Sequence, residues 1–251
     1  GDCIAVIDHT NNPHRPLEGT GSVYEASNVR SSYSVMFSPW CNVNTVATPM
    51  PPSYVYFCTL QTSLQSNPLW AAVAGVSRGL TTVVDSLNTD LPLTNRIAES
   101  YQNDYRNTSS ESNHSNLNPV TYIRPYGYTI WGNRTSQQYV VGQKNFATSF
   151  LNTRILVSQV KKQAYMSARQ CMFEVNNDIL WTNFKASMAT LLDQMVTSNG
   201  LEQYKLLKIQ SADKTKLKCQ IILYPTYNVE SVEISVILTD EDLEVEDTIQ
   251  E

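Results

Sequence analysis

The chain has 251 residues, of which 41% are hydrophobic and 16% charged. A chain of this length buries a substantial core, and no run approaches the roughly 18 apolar residues that a membrane-spanning helix needs. Its net charge of −5 argues against a general nucleic-acid binder, because such proteins carry an excess of basic residues.

The acidic residues are concentrated at the end of the chain. Residues 240–251 contain seven acidic residues and no lysine or arginine, so the remainder is close to neutral. Blocks of like charge are usually solvated tails. The chain starts with glycine, lacks a secretory leader pattern and enters an apolar stretch at once, so we expect a processed form or a part of a longer protein.

The first half predicts a small α/β region. Residues 3–8 and 33–37 form the short apolar runs of buried strands, and helical turns at 23–30 between them indicate a parallel βαβ unit. Pro51 and Pro52 predict a helix start, with the helix over 51–64. Residues 80–87 indicate a strand or covered turn and 95–101 a helix. The polar run 102–118 predicts a mobile surface loop, because it has too few apolar residues to offset its ordering entropy.

Residues 118–151 predict a hairpin and a tight corner. Strands are expected over 120–124 and 128–131, joined by a bend in which Pro125 fixes φ and Gly127 takes a positive φ. Gly132 marks the corner that follows, and a polar loop then leads into a helix.

The second half predicts two helices and three antiparallel strands. Helices are expected over 152–172 and from an N-cap at Asp178 to a stop at Gly200. The second helix has an apolar stripe that we assign to the core rather than to a cofactor: Trp181, Phe184, Met188, Leu191 and Met195. Strands are expected over 204–210, 217–224 and 232–238, and the last has apolar alternate residues, Val232, Ile234, Val236 and Leu238.

Residues suited to catalysis or metal binding are few. The cysteines (Cys3, Cys41, Cys58, Cys171 and Cys219) are widely spaced without a CxxC pair, so we expect reduced, buried thiols in a cytoplasmic setting and no structural zinc. Asp8, His9 and His14 could form a metal site, although a plain polar loop is the simpler interpretation. Gly19 and Gly21 lack the further residues of a nucleotide-binding loop. We therefore expect no cofactor, no metal and no catalytic residue.

A run of basic residues lies beside the last strands. It consists of Lys205, Lys208, Lys214, Lys216 and Lys218. One interpretation is a solvated strand face. The other is a charged interface that pairs with the acidic tail, including Asp240, Glu241 and Asp242, in the same chain or in a neighbouring copy.

Seven segments form an ordered series of motifs: CIAVIDHTNNP, SSYSVMFSPW, MPPS, NPLWAAVAG, NPVTYIRPYGYTIWGNRTS, FLNTRILVSQVKKQAYMSARQCMFEVNNDILWTNF and YPTYNVESVEISVIL. Their order resembles the sheath proteins of contractile phage tails and related contractile injection machines. The most specific match is the fifth, which resembles the family signature N-x-I-x-x-x-x-G-x-x-V-W-G-x-R-T. The signature residues are Trp40, Gly127, Trp131, Gly132, Arg134, Thr135 and Arg154. The sequence looks most like a sheath from a giant, phiKZ-like myophage.

The resemblance implies an α/β fold with α+β character, in which a central mixed sheet is flanked by helices. It implies an N-terminal half at 1–117 with a polar insert at 102–117, a C-terminal half at 118–239 and an acidic tail at 240–251. Sheath subunits are usually longer, so the resemblance also implies the C-terminal core of such a subunit, without its N-terminal arm.

The function implied is structural. Sheath subunits polymerise around a tail tube and contract to drive it through the host envelope during genome delivery. The implied partners are further copies of the chain, the tail tube protein, and the baseplate and tail terminator proteins, with no direct contact to nucleic acid or membrane. The implied location is the phage tail in the virion, assembled in the host cytoplasm. Related sheaths stay connected because terminal strands add to a neighbour's sheet, and residues 232–238 are the natural candidate here. Two alternatives stay open: an α/β enzyme using the loop from Asp8 to His14, and a generic virion structural or adaptor protein.

Overall fold

The computed structural model describes residues 3–8, 29, 31–44, 46–88, 117–137 and 147–229. The strands are β1 (Ala5–Asp8), β2 (Ser34–Ser38), β3 (Cys41–Val43), β4 (Val84–Leu87), β5 (Leu117–Ile123), β6 (Gly127–Ile130), β7 (Leu201–Ile209) and β8 (Lys218–Pro225). The helices are α1 (Pro52–Ser63), α2 (Gly75–Arg78), α3 (Leu151–Gln170) and α4 (Asp178–Thr197), and a 3₁₀ turn, Ala147–Ser149, precedes α3.

The largest sheet among the described residues is a mixed sheet of four strands in the order β1-β2-β5-β6, which we call the central sheet. β1, β2 and β5 are parallel, and β6 returns antiparallel beside β5. All five residues of β2 are buried. Val35 and Phe37 pack into one apolar cluster and Met36 into another, so both faces of the strand are covered, as in a parallel sheet. The expected mixed sheet flanked by helices is therefore confirmed, as is the parallel pairing of the first two strands.

α1 begins where the two prolines predict it. Pro51 is the N-cap with extended backbone and offers no side-chain acceptor. Asp8, at the end of β1, fills this role, because its carboxylate accepts from the Ser53 amide at 2.8 Å and from the Ser53 hydroxyl at 2.9 Å. The helix then packs on the sheet, with Tyr56 stacked on Phe37 at 4.5 Å between ring centroids.

α3, α4 and the β7–β8 hairpin enclose a third apolar cluster. The stripe predicted on α4 faces it: Phe184, Met188 and Met195 are buried, whereas Trp181 and Leu191 are partly buried. One face of the hairpin covers the same cluster through the partly buried residues Tyr204, Leu206, Ile221 and Leu223. Trp70, from the first half of the chain, completes the cluster and donates its indole N–H to the Ser198 hydroxyl at 2.9 Å.

Several expectations require correction. The N-cap of α4 is Asn177, whose side chain accepts from the Leu180 amide at 2.8 Å, and not Asp178, because Asn177 has the extended backbone that a cap needs. Leu117 and Asn118 were expected in the surface loop, but both are fully buried in β5. The left-handed residue that ends α4 is Asn199, at φ 57°, and not Gly200.

The cysteine expectation is also corrected in part. All five thiols are free, but among them only Cys41 is buried, and Cys3 and Cys219 are exposed. Burial raises the pKa of the Cys41 thiol to about 12. Most of the helical turns expected at 23–30, the helix at 95–101, the insert from 102 to 116, the strand at 232–238 and the tail at 240–251 lie outside the described residues.

Candidate functional site

The first candidate region is a buried polar corner, which we call the corner. It comprises Trp131–Thr135 together with Asn118 and Arg154. Asn118 is fully buried, and its side-chain amide donates to the carbonyl oxygens of Met36 at 3.0 Å and Arg134 at 2.7 Å. Its side-chain oxygen accepts from the Arg134 amide at 2.8 Å. One side chain thus ties β2, β5 and the corner together through three hydrogen bonds.

Arg134 and Thr135 join the corner to the start of α3. The Arg134 guanidinium is buried and lies 4.3 Å from the centre of the Phe150 ring. The Thr135 amide donates to the Ser149 carbonyl at 2.8 Å, and its hydroxyl donates to the Thr148 carbonyl at 3.0 Å. The first amide of α3, at Leu151, donates to the Asn133 carbonyl at 2.9 Å, so the corner supplies an acceptor to the helix N-terminus.

Arg154, one turn into α3, extends the corner to the segment before β2. Its Nε donates to the Ser32 carbonyl at 3.2 Å, its Nη2 contacts the Ser32 hydroxyl, and its guanidinium stacks 4.0 Å from the centre of the Tyr33 ring. Lys161 donates to the Tyr33 hydroxyl at 3.1 Å. This hydrogen bond, together with the positive charge of Arg154, holds the pKa of Tyr33 below its usual range.

The remaining signature residues also occupy structural positions. Gly127 begins β6 with φ of +117°, which confirms the expected bend. Trp131 donates its amide to the Pro119 carbonyl at 2.7 Å, and Trp40 accepts through its carbonyl from the Asn88 amide at 2.8 Å. Trp131 and Gly132 line a cavity of about 430 Å³ that also borders Val229. The corner therefore fixes the positions of the sheet and α3.

The second candidate region lies at the other end of α3. We call it the tip, defined as the connection between α3 and α4 with the flanking exposed side chains. Its exposed apolar residues are Tyr165, Met166, Met172, Phe173, Val175 and Ile179. Phe173 is fully exposed and has φ of 69°, a conformation that a bulky residue adopts only at an energetic cost. Large apolar side chains gathered in this way on a surface indicate a contact site.

The lysine run lies beside the tip. Lys205 and Lys208 are on β7, Lys218 is on β8, and Lys214 and Lys216 are in the connection between these strands. All five are exposed. Lys208 forms an ion pair with Asp178 at 2.7 Å and Lys216 one with Asp213 at 3.2 Å, whereas no acidic partner lies beside the other three within the described residues.

The β7–β8 hairpin presents strand edges. Within the described part of the chain, these two strands pair only with each other, in a two-stranded antiparallel sheet. An unpaired edge offers a row of backbone donors and acceptors to a further strand. The predicted exchange residues, Val232, Ile234, Val236 and Leu238, lie outside the described residues, as do Asp240, Glu241 and Asp242.

The loop proposed for an enzyme is only partly described. Asp8 is engaged with the start of α1 through Ser53, whereas His9 and His14 lie outside the described residues. Over the residues that the structure describes, no three His, Cys, Asp or Glu side chains gather closely enough to hold a metal ion. Likewise, no helix in the described ranges has both the length and the apolar character needed to cross a membrane.

Comparison with known proteins finds a tail sheath protein among the relatives of this sequence. No family model matches the chain. The chain is 22% identical, over 188 residues, to the tail sheath protein of Vibrio phage KVP40, a match that covers 72% of this chain and 25% of the relative. The chain thus spans about a quarter of the length of that curated relative.

Solved structures agree with this similarity. The sheath complex of an extracellular contractile injection system, PVC, in its contracted state matches with a TM-score of 0.71 at 17% identity, over 94% of this chain and 64% of that one. The contracted helical sheath of the anti-feeding prophage matches with a TM-score of 0.62 at 17% identity, over 95% and 61% of the two chains. Its six-fold symmetrised baseplate matches with a TM-score of 0.66 at 15% identity, over 94% and 60%. The chain therefore has the fold of contractile sheath subunits.

Proposed function

We propose that this chain is a structural subunit of the contractile tail sheath of a bacteriophage, which polymerises around the tail tube and contracts to drive the tube through the host envelope. The observation that carries the proposal is agreement between the comparison of sequences and the comparison of folds: sequence similarity to a phage tail sheath protein and a shared fold with contracted sheath subunits. Because the three solved structures described above are 15–17% identical to the chain, they establish the fold alone, and the function rests on both comparisons together.

The proposal extends to location and partners. The subunit would be part of the phage tail in the virion, assembled in the host cytoplasm, and would contact the tail tube protein and the baseplate and tail terminator proteins. The motif order favours a giant, phiKZ-like myophage as the source and the C-terminal core of a sheath subunit as the part represented. The division into 1–117, 118–239 and 240–251 belongs to the same proposal, although the strand that begins at Leu117 favours an earlier first boundary.

The fold suits mechanical work rather than chemistry. The corner holds α3 against the central sheet through buried hydrogen bonds, which favours a subunit that moves as a rigid body. In such an assembly the work of contraction comes from the difference between two packings of the same subunit. Small free-energy gains per subunit then add over many copies.

Two contacts between copies form part of the proposal. The first is the pairing of residues 232–238 with an edge of the β7–β8 hairpin of a neighbouring copy, supported by the apolar alternation of that segment and the unpaired edges of the hairpin. The second is the meeting of the lysine run with an acidic surface of the tube or of a neighbour, supported by the exposure of all five lysines.

Negative-stain electron microscopy of the full-length protein at high concentration tests the proposal directly. Tubes or stacked rings of uniform width are the expected result. Monodisperse monomers across a range of salt and pH would contradict it and would favour a generic virion or adaptor protein.

Two variants then test the contacts between copies. Deletion of residues 229–251 should abolish polymerisation while leaving the subunit folded, and normal polymerisation would refute the strand exchange. Replacement of the five lysines by glutamine should flatten the salt dependence of assembly, because exposed charge pairs are screened by salt. An unchanged salt dependence would refute the charged interface.

A further inference from the structure

A groove at the tip has the chemistry of a docking site. It is a cavity of about 720 Å³ between the α3–α4 connection and the β7–β8 connection. Its apolar surface comes from Met172, Leu180, Phe184 and Leu217, and Lys214 and Lys216 lie at its border. We refer to it as the tip groove.

The lysine border is held in place by the fold. The Asn176 side chain donates to the Lys214 carbonyl at 2.7 Å, which ties the α3–α4 connection to the β7–β8 connection. Glu174 also lines the groove, and Asp213 pairs with Lys216 at 3.2 Å, so these acids offset part of the positive charge. Lys214 and the neighbouring Lys218 have no acidic partner among the described residues and leave an excess of positive charge.

The chain itself contains a segment complementary to this groove. Residues 242–246 read Asp-Leu-Glu-Val-Glu, so acidic and apolar residues alternate. In an extended chain successive side chains point to opposite sides. Leu243 and Val245 would then face one way and the three acids the other, which suits a groove with an apolar floor and a lysine border.

We propose that residues 242–246 of a second copy of this chain dock in the tip groove, with Leu243 and Val245 against its apolar floor and the flanking acids beside Lys214 and Lys216. This inference rests on the proposed sheath function. If residues 232–238 add as a strand to the hairpin of a neighbouring copy, residues 242–246 necessarily lie close to that neighbour.

The position of the described chain end supports the assignment to a second copy. Val229 borders the cavity beside Trp131, and β8 pairs at its Pro225 end with Leu201. The tip groove lies at the opposite end of the hairpin, where β8 begins at Lys218. At about 3.3 Å per residue, the strand separates the two ends by roughly 25 Å. Residues 232–238 of one copy could instead run along the hairpin of a neighbouring copy toward the β7–β8 connection. The acidic residues that follow would then reach the neighbour's tip groove without a reversal of chain direction.

Two cysteines of the groove provide a direct test, because Cys171 and Cys219 both line it. The variant Val245→Cys in the full-length protein is assembled and then oxidised with copper phenanthroline. We expect a disulfide between two copies, seen as a ladder on a non-reducing gel and mapped to Cys171 or Cys219 by mass spectrometry. A disulfide requires Cα atoms within about 7 Å, so the bond forms only if position 245 lies directly beside the groove cysteine.

Two controls accompany this test. The ladder should be lost when Cys171→Ser and Cys219→Ser are added. It should be weaker for Glu246→Cys, whose side chain would face the opposite side in an extended segment. A cross-link within one chain only would overturn the assignment to a second copy. Normal sheaths without any cross-link would overturn the docking but leave the sheath function standing, whereas an unmodified protein that forms no sheaths would overturn both.

A charge exchange tests the electrostatic part. Lys214→Glu with Lys216→Glu should raise the critical concentration for assembly by about 2- to 30-fold, given about 0.2–1 kcal/mol for each exposed pair. Asp242→Lys with Glu244→Lys in the same chain should restore it. The matched control, Lys162→Glu with Lys185→Glu, changes the net charge equally on exposed positions of α3 and α4. Equal effects of both pairs, or no rescue, would overturn the proposed pairing.

Discussion

The corner and the tip lie at the two ends of the same helix. They differ in whether their side chains are buried with partners inside the subunit or exposed. At the corner, Asn118, Arg134 and Arg154 are buried, and each has its partners within the chain. At the tip, Met172 and Phe173 are exposed, and the Phe173 backbone is in a left-handed conformation. A region whose side chains find all their partners within the subunit contributes to the stability of the folded subunit. A region with exposed apolar surface and backbone strain is suited to contacts with other copies.

This contrast leads to different expectations for substitutions. A change at the corner should lower the free energy of unfolding and affect assembly only through folding. A change at the tip should leave the folded subunit intact, or even stabilise it, while altering contacts between copies.

The largest effect is expected for Asn118→Ala. The substitution removes three hydrogen bonds from a fully buried site and leaves two carbonyls and one amide without these partners. We expect a loss of about 2–4 kcal/mol in the free energy of unfolding, measured by urea denaturation. The control is Asn42→Ala, whose side-chain amide donates only to the exposed Ser86 hydroxyl, with an expected loss of about 0.5 kcal/mol. Similar losses for the two variants would contradict the role of Asn118.

Arg154→Lys should have the next largest effect. Lysine keeps the charge but cannot reproduce the planar group that stacks on Tyr33 and reaches Ser32, so we expect a loss of about 1–2 kcal/mol by urea denaturation. Arg169→Lys is a matched control on the same helix, because Arg169 also stacks on a tyrosine, Tyr165, but at an exposed position. Its substitution should change stability by less than about 0.5 kcal/mol. A larger loss for Arg169→Lys than for Arg154→Lys would show that the contacts of Arg154 at the corner do not determine the stability of the subunit.

Phe173→Gly should act in opposite directions on stability and assembly. Glycine adopts the left-handed backbone without steric cost, so we expect the free subunit to gain about 1 kcal/mol. Sheath assembly, measured as the critical concentration, should become weaker because an exposed aromatic contact is lost. The control is Asn199→Gly, which changes the other left-handed non-glycine residue among those described but leaves the tip untouched. Unchanged assembly in both variants would exclude Phe173 from contacts between copies.

The smallest effect concerns the ion pair next to the tip. The hydrogen bond from Lys208, and its charge, lower the pKa of Asp178. A lowered carboxyl pKa stabilises the fold above the unfolded pKa, and this contribution is lost as the pH falls through the folded value. Lys208→Met should return the pKa of Asp178 toward its ordinary value, as measured by NMR titration. Both side chains are substantially exposed, so the effect on stability is small.

Asp213 provides the comparison for that titration. Its pKa is lowered first by the hydrogen bonds from the Thr215 hydroxyl and amide, and only then by Lys216. Lys216→Met should therefore move the pKa of Asp213 less than Lys208→Met moves that of Asp178. An equal displacement would mean that the lysine charge, rather than the turn, determines the ionisation of Asp213.

The sequence was most informative where regular periodicity and proline or glycine acted together. The prolines before α1, the bend at Pro125 and Gly127, and the apolar stripe of α4 each have a local physical cause, so these elements were predictable. The short strands β3 and β4 form a separate small sheet. β3 was missed because a strand of three residues, Cys41–Val43, is too short to show a period.

The contacts that define the two regions were not predictable from local patterns. Asn118 follows a long polar run, which predicts a loop, although its partners lie in β2 and the corner. Arg154 and Ser32 are 122 residues apart, so their contact depends on the complete fold. The exposed apolar residues of the tip are not predictable as a group, because Tyr165, Met166 and Met172 fall within the helix expected over 152–172. A signal was present, since Met172, Phe173 and Val175 occupy a connection where polar turn residues are usual.

The length of α3 has a mechanical consequence. The helix has 20 residues and is therefore about 30 Å long, with the corner at its first turn and the tip at its last. A force applied at the tip acts on the corner as a torque through a stiff lever. A rotation of the whole subunit by about 10° about the corner would carry the tip through an arc of about 5 Å, about the rise of one helical turn. Small rotations of a rigid subunit are thus converted into displacements as large as a side chain at its far end.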